Sequence, residues 1–139
     1  METLQLLETN VGDSRLREAH KILLVGTCVI TQTEETLELF KDRPWVTVCL
    51  EALHVNHAGF KLVQMIQVSK IRDVAVLTKD GSPHCIQAHF LIEDIKKHFV
   101  PDLVVNHFVI EKDFLEQVSA QAIKLARHLS QVEKMIRNR

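Results

Sequence analysis

Four short apolar segments alternate along this chain with segments of helical character, and this alternation constrains the fold more than any other feature. The four segments are Lys21–Val25, Trp45–Leu50, Val74–Leu77 and Leu103–Ile110. They are rich in β-branched residues, and runs without polar alternation favour strands that are buried on both faces. Because helical segments separate the strands, the pattern predicts a mostly parallel sheet.

Helices are predicted over Thr33–Phe40, Ala58–Ile71, Pro83–His98 and, as one long helix, from Asp113 to Arg137. Residues 1–19 are expected to form an N-terminal arm or a short helix that Asp13 begins. The prediction is therefore one α/β domain over residues 1–139, doubly wound, with a mostly parallel four-stranded sheet and helices on both faces. This layout resembles the small doubly wound domains of the Rossmann and flavodoxin types, which are three-layer sandwiches. The resemblance implies a fold and assigns no activity.

The predicted C-terminal helix, residues 113–137, carries a narrow apolar stripe in which hydrophobic residues recur at spacings of three and four. The stripe consists of Leu115, Val118, Ala122, Leu125, Leu129, Val132 and Ile136. One interpretation is that it packs across the sheet, and the other is that its end pairs with a second subunit. The helix over 58–71 is apolar around most of its circumference, which is typical of a deeply buried or subunit-covered helix. We therefore expect a homo-oligomer.

Composition limits the partners and the compartment. The net charge of -1 argues against binding to nucleic acid or to an anionic membrane surface, since both need a basic patch. The first residues lack the basic and apolar regions of a signal peptide. Three cysteines without a C-x-x-C pair do not suggest a disulfide framework, so a cytoplasmic location is expected.

The segment Gly81–Cys85 predicts a functional site. It follows a predicted strand, Ser82 suits the N-cap of the next helix, and Pro83 suits its first position. Cys85 then lies in the first helical turn, where the helix dipole favours ionisation of a thiol. A second turn, Gly26-Thr27-Cys28, follows another strand, and parallel strands end at one edge of a sheet. We therefore expect Gly26, Thr27, Cys28, Gly81 and Ser82 to bind a small anionic ligand.

Two alternatives remain open for the same edge. Cys85 is a candidate nucleophile, with His84 or His54 as its base, which predicts a thiol-dependent enzyme. Cys85 and His89 lie four residues apart on one helix face, and together with His54 and His57 they offer ligands that suit zinc.

The chain contains no G-x-G-x-x-G, no Walker motif and no G-x-S-x-G. The sequence therefore disfavours a dinucleotide oxidoreductase, a P-loop NTPase and a hydrolase with a serine triad. No cofactor is indicated. Cys49 reads as an inert core residue within a strand. The sequence thus favours a binding, accessory or redox module, with a thiol enzyme or a metal-binding protein as the alternatives.

Overall fold

The computed structural model describes residues 3–31 and 37–139. The strands are β1 (Thr3–Gln5), β2 (Lys21–Gly26), β3 (Trp45–Val48), β4 (Asp73–Lys79), β5 (Val104–Glu111) and β6 (Phe114–Val118). The helices are α1 (Ser14–Ala19), α2 (Thr27–Ile30), a 3-10 helix (Glu38–Phe40), α3 (Val55–Val68), α4 (Ile86–His98), α5 (Ala120–Ala126) and α6 (Leu129–Arg137). Of the helix predicted over Thr33–Phe40, residues 33–36 lie outside the described residues.

The six strands form one sheet in the order β1-β3-β2-β4-β5-β6, and every neighbouring pair is parallel except β5 with β6. The predicted doubly wound, mostly parallel α/β fold is therefore confirmed. The predicted number of four strands is wrong, because β1 and β6 add one strand at each edge. β1 has only three residues, too few for a periodic pattern, and its position depends on pairing with Trp45–Thr47 of β3.

Helices cover both faces of the sheet, because side chains alternate between the faces along each strand. On one face α1, α3 and α4 pack over Ile22 and Leu24 of β2 and over Val74 and Val76 of β4. On the other face α2 and the 3-10 helix pack over Leu23 and its neighbours. Consecutive residues of β2 thus serve two cores, which explains why this strand carries no polar residue in its buried part.

The predicted long helix over residues 113–137 is wrong. Phe114–Val118 form β6, which pairs antiparallel with β5 after a tight turn in which Lys112 has a positive φ of 55°. The remainder is divided into α5 and α6, and the break falls at His128, whose backbone is not helical. Hydrogen bonding to the β5 edge satisfies the backbone of residues 114–118 as strand, and this long-range pairing outweighs the helical spacing of the side chains.

The N-terminal and central helices begin with side-chain caps. Within residues 1–19 the expected short helix is present as α1, where Asp13 accepts a hydrogen bond from the Arg15 backbone N–H. At α3, the His54 ring accepts one from the Asn56 N–H. α3 buries only part of its apolar surface, since Phe60 stays 70% exposed. Among the described residues no helix has the length and apolarity needed to cross a bilayer.

Candidate functional site

The carboxyl ends of β2 and β4 lie side by side at the centre of the sheet. β2 continues towards β3 on one side, whereas β4 continues towards β5 on the other, so the two connections leave in opposite directions. Such a point opens a crevice between the loops, and ligands of open α/β sheets bind there. The turns Gly26–Cys28 and Gly81–Cys85, predicted from sequence to share one edge, follow these two strands.

The two turns bring the thiols of Cys28 and Cys85 next to each other. A methyl group placed on Gly26 would lie 3.8 Å from Cys85 Sγ and 3.9 Å from Cys28 Sγ, so both sulfurs flank the end of β2. Cys28 is exposed and Cys85 is half-buried, and both are free thiols. Residues 57 positions apart in sequence thus form a thiol pair.

Cys28 titrates at a higher pH than an ordinary thiol. Partial burial raises its pKa first, and the neighbouring Cys85 thiol raises the pKa further by charge repulsion and by hydrogen bonding. Cys49 adds a smaller rise, so the third cysteine also lies near this edge. The interpretation of Cys49 as an inert core residue is wrong: it follows the end of β3, is exposed, and lines a cavity of about 290 Å³ with Thr27.

Ser82 caps the turn that leads into α4. Its Oγ accepts a hydrogen bond from the Cys85 N–H at 3.2 Å, and its carbonyl accepts one from the Ile86 N–H. The next two N–H groups donate to the carbonyls of His84 and Cys85. The helix itself begins at Ile86 instead of Pro83. The N–H donors expected to face an anion at this helix start are therefore engaged within the turn.

Gly81, Pro83 and His84 of the same segment lie at the surface. Gly81 has a φ of 85°, a left-handed conformation that favours glycine, and it is exposed. His84 is also exposed. Among the hydrogen bonds of the described residues, none joins the His84 side chain to Cys85, and the Cys85–His84 couple stays a prediction.

The four predicted metal ligands do not form a cluster. His89 is 1% exposed, and its ring nitrogens contact Thr78 Oγ1 at 2.7 Å and His107 Nδ1 at 2.8 Å, so neither is free to join Cys85 around a metal. His54 and His57 lie at the start of α3 with ring centroids 6.3 Å apart. Within residues 3–31 and 37–139 no group of three or more His, Cys, Asp or Glu is placed to hold a metal ion.

Burial has a strong effect on His89. Desolvation, followed by the nearby His107 ring, lowers the pKa of His89 to about 3. Sequence reasoning missed this pairing, because it considered His89 as a metal ligand beside Cys85. Only the register of β5 beside β4 shows that the ring lies under α4, since Val76 pairs with His107.

A cavity of about 340 Å³ lies on the other side of the Gly81–Ser82 turn, between the ends of β4, β5 and β6 and helices α4 and α5. We call it the Ser82 cavity. Its lining includes Thr78, Asp80, Gly81, Ser82, Ile86, His89, Val118, Ala122, Ile123 and Ala126. The wall is mostly apolar, and Thr78 and His89 are among its polar residues.

Comparison with known proteins gives a match at the level of a domain family. A family model described as a Rossmann-like domain matches residues 14–138, which include every described helix and all strands except β1. No curated protein sequence and no solved structure matches the chain.

Proposed function

This chain belongs to the Rossmann-like domain family, and we propose that it is a thiol redox module whose reactive groups are the thiols of Cys28 and Cys85. The observation that carries the proposal is the adjacency of the two thiols where the crossover connections diverge. This edge is the usual ligand-binding edge of such sheets. Thiol exchange requires only Cys28 and Cys85, which lie next to each other. A metal site would require at least three ligands together, and the described residues contain no such group.

The two cysteines take different roles in the proposed reaction. The pKa of Cys28 is raised, so Cys28 stays a thiol at neutral pH and does not attack first. We assign the first attack to Cys85, which immediately precedes the 13-residue helix α4 and lies beside the Cys28 thiol. Cys28 is then the resolving residue, close enough to reach the Cys85 sulfur.

A small disulfide such as glutathione disulfide fits the thiol pair. The Cys85 thiolate attacks one sulfur of the disulfide, so that a mixed disulfide forms and the first glutathione leaves as a thiolate. Cys28 then loses its proton to solvent and attacks Cys85 Sγ, which releases the second glutathione. The products are one Cys28–Cys85 disulfide and two reduced glutathione molecules, so two electrons pass from the protein to the oxidant.

The test is oxidation of the reduced protein with glutathione disulfide, followed by thiol counting, intact mass and peptide mapping. Wild-type protein should retain one of its three thiols and lose about 2 Da, with Cys28 linked to Cys85. Cys28→Ser should stop at the glutathione adduct on Cys85. Cys49→Ser is the matched control, because it removes the third cysteine of the same edge and should leave the disulfide intact.

Two results would contradict the proposal. In the first, the wild-type protein keeps all three thiols under conditions that oxidise a simple dithiol. In the second, the peptide map finds Cys49 in the disulfide instead of Cys85, which would assign the reactive pair to the ends of β2 and β3.

A further inference from the structure

A continuous hydrogen-bonded network of four side chains crosses the interior between α4 and the sheet. Thr78 Oγ1 lies 2.7 Å from His89 Nε2, His89 Nδ1 lies 2.8 Å from His107 Nδ1, and His107 Nε2 lies 2.8 Å from Glu93 Oε2. Thr78, His89 and His107 are each at most 2% exposed. The Glu93 side chain is 26% exposed and forms the outer end of the network.

The proton on each bond follows from the carboxylate. An ionised Glu93 only accepts, so His107 Nε2–H donates to it. A neutral His107 then has a bare Nδ1, which accepts from His89 Nδ1–H. His89 Nε2 is bare in turn and accepts from the Thr78 hydroxyl. All three bonds therefore point from Thr78 towards Glu93, with one proton each and no charge on either ring.

The two ends of this hydrogen-bonded network, Thr78 and Glu93, line different cavities. Thr78 and His89 line the Ser82 cavity. Glu93 lines a groove of about 370 Å³ between α4 and α5, which we call the Lys97 groove. The charged residues that line the Lys97 groove are Glu93, Asp94, Lys97, Lys124 and Arg127, and those that line the Ser82 cavity are Lys79 and Asp80.

We propose that Thr78, His89, His107 and Glu93 form a proton relay that accepts a proton from a small molecule bound in the Ser82 cavity and delivers it to the Lys97 groove. The cavity suits a molecule with an apolar body, which contacts Ile86, Val118 and Ile123, and with an acidic hydroxyl or thiol at the Thr78 end. The relay would serve as the general base for that ligand.

Each proton in the proposed transfer has a donor and an acceptor. The ligand gives its proton to Thr78 Oγ1, and the hydroxyl proton of Thr78 passes to His89 Nε2. The Nδ1 proton of His89 passes to His107 Nδ1, and the Nε2 proton of His107 passes to Glu93. Glu93 gains one proton and both rings exchange tautomers. Because His89 is too buried to hold a second proton readily, the transfers along the rings occur together and no imidazolium accumulates.

The resting state can be checked by long-range proton–nitrogen NMR of the wild-type protein. His89 should carry its proton on Nδ1 and His107 on Nε2. The reverse assignment would overturn the proposal, because Glu93 would then have to hold a proton at rest and would have no capacity to accept one.

The transfer itself can be checked by exchange of the His89 Nδ1–H with deuterated water. Glu93→Gln keeps an oxygen that accepts from His107 but takes up no proton, so exchange should slow on the order of tenfold relative to the backbone amides of β4 and β5. Asp94→Asn is the matched control, because it removes the neighbouring carboxylate of the same helix, and it should leave the exchange unchanged.

The inner end of the relay gives a second, independent variant. Thr78→Val removes the hydroxyl and should slow exchange of the same proton, whereas Thr78→Ser keeps the hydroxyl and should restore the wild-type rate. If the His89 proton exchanges at the rate of the neighbouring backbone amides in every variant, the four side chains serve only to stabilise the fold, and the relay is refuted.

Discussion

Burial of His89 makes the free energy of unfolding depend on pH. In the folded protein the ring is 1% exposed and its pKa is lowered from 6.5 to about 3, whereas in the unfolded chain it returns to about 6.5. Between about pH 6.5 and about pH 3 the unfolded state therefore binds more protons than the folded state. The contribution of His89 to the free energy of unfolding is therefore independent of pH above about pH 6.5 and decreases as the pH falls from about 6.5 to about 3.

The size of the effect follows from the two pKa values. Lowering the pH from about 7.5 to about 5 should remove about 2 kcal/mol of stability through His89 alone. Complete titration below about pH 3 would remove about 5 kcal/mol. A loss of about 2 kcal/mol is a substantial part of the 5–15 kcal/mol that is typical of a native domain. It lowers the ratio of folded to unfolded protein by roughly a factor of 30.

The assay is urea unfolding followed by circular dichroism, for wild type and for His89→Gln, at about pH 7.5 and about pH 5. The glutamine amide can donate to His107 and accept from Thr78, but it does not titrate. The loss of stability on acidification should be about 2 kcal/mol larger in wild type than in this variant. His98→Gln, which removes an exposed histidine near the end of the same helix, should retain the wild-type loss.

An equal loss of stability in wild type and His89→Gln would refute the reasoning. It would mean that the His89 ring accepts a proton in the folded state as readily as in the unfolded state.

Three further substitutions test the packing and the turn, with urea unfolding as the measurement. Leu62→Ala should cost about 2–5 kcal/mol, because Leu62 is fully buried under the sheet in α3; a loss below about 1 kcal/mol would show that the core repacks. Ser82→Ala should cost about 1 kcal/mol through loss of its hydrogen bond from the Cys85 N–H, and no loss would show that the cap contributes nothing. Gly81→Ala should cost about 1 kcal/mol because of the positive φ, although no atom of the described residues lies within 4 Å of the added methyl group; equal stability would mean that the turn relaxes.

The central strands were predictable from sequence because their side chains are apolar on both faces. Lys21–Gly26 and Asp73–Lys79 lie between two layers of helices, so burial dictates an uninterrupted branched run. Their common edge followed from the parallel arrangement, so the sequence predicted that Gly26, Cys28, Gly81 and Cys85 lie at one edge of the sheet.

The edges of the sheet were not predictable in the same way. Phe114–Val118 is exposed at three of its five positions, and its strand structure depends on hydrogen bonds to β5. The sequence pattern of residues 114–118 alone does not show that β5 is their pairing partner. The spacing of Leu115, Val118 and Ala122 fits a helix equally well, so the sequence alone favoured the wrong element.

The side-chain pairings also depended on tertiary geometry. Cys85 and His89 were expected on one helix face, and their spacing suggested a common metal. In the structure Cys85 precedes α4 and faces the end of β2, whereas α4 turns His89 into the core. The contacts of His89 with His107 and of Cys28 with Cys85 join residues from different crossover units. Such contacts follow from strand order and register, which periodicity does not specify.

The last helix, α6, has a practical consequence for experiments on this protein. None of its residues is buried, so it contributes little to the core that holds the sheet together. A fluorophore, an affinity tag or a surface tether attached along residues 129–137 should therefore leave both the sulfur chemistry and the imidazole chain undisturbed. Residues 129–137 are therefore suitable sites for immobilising the protein.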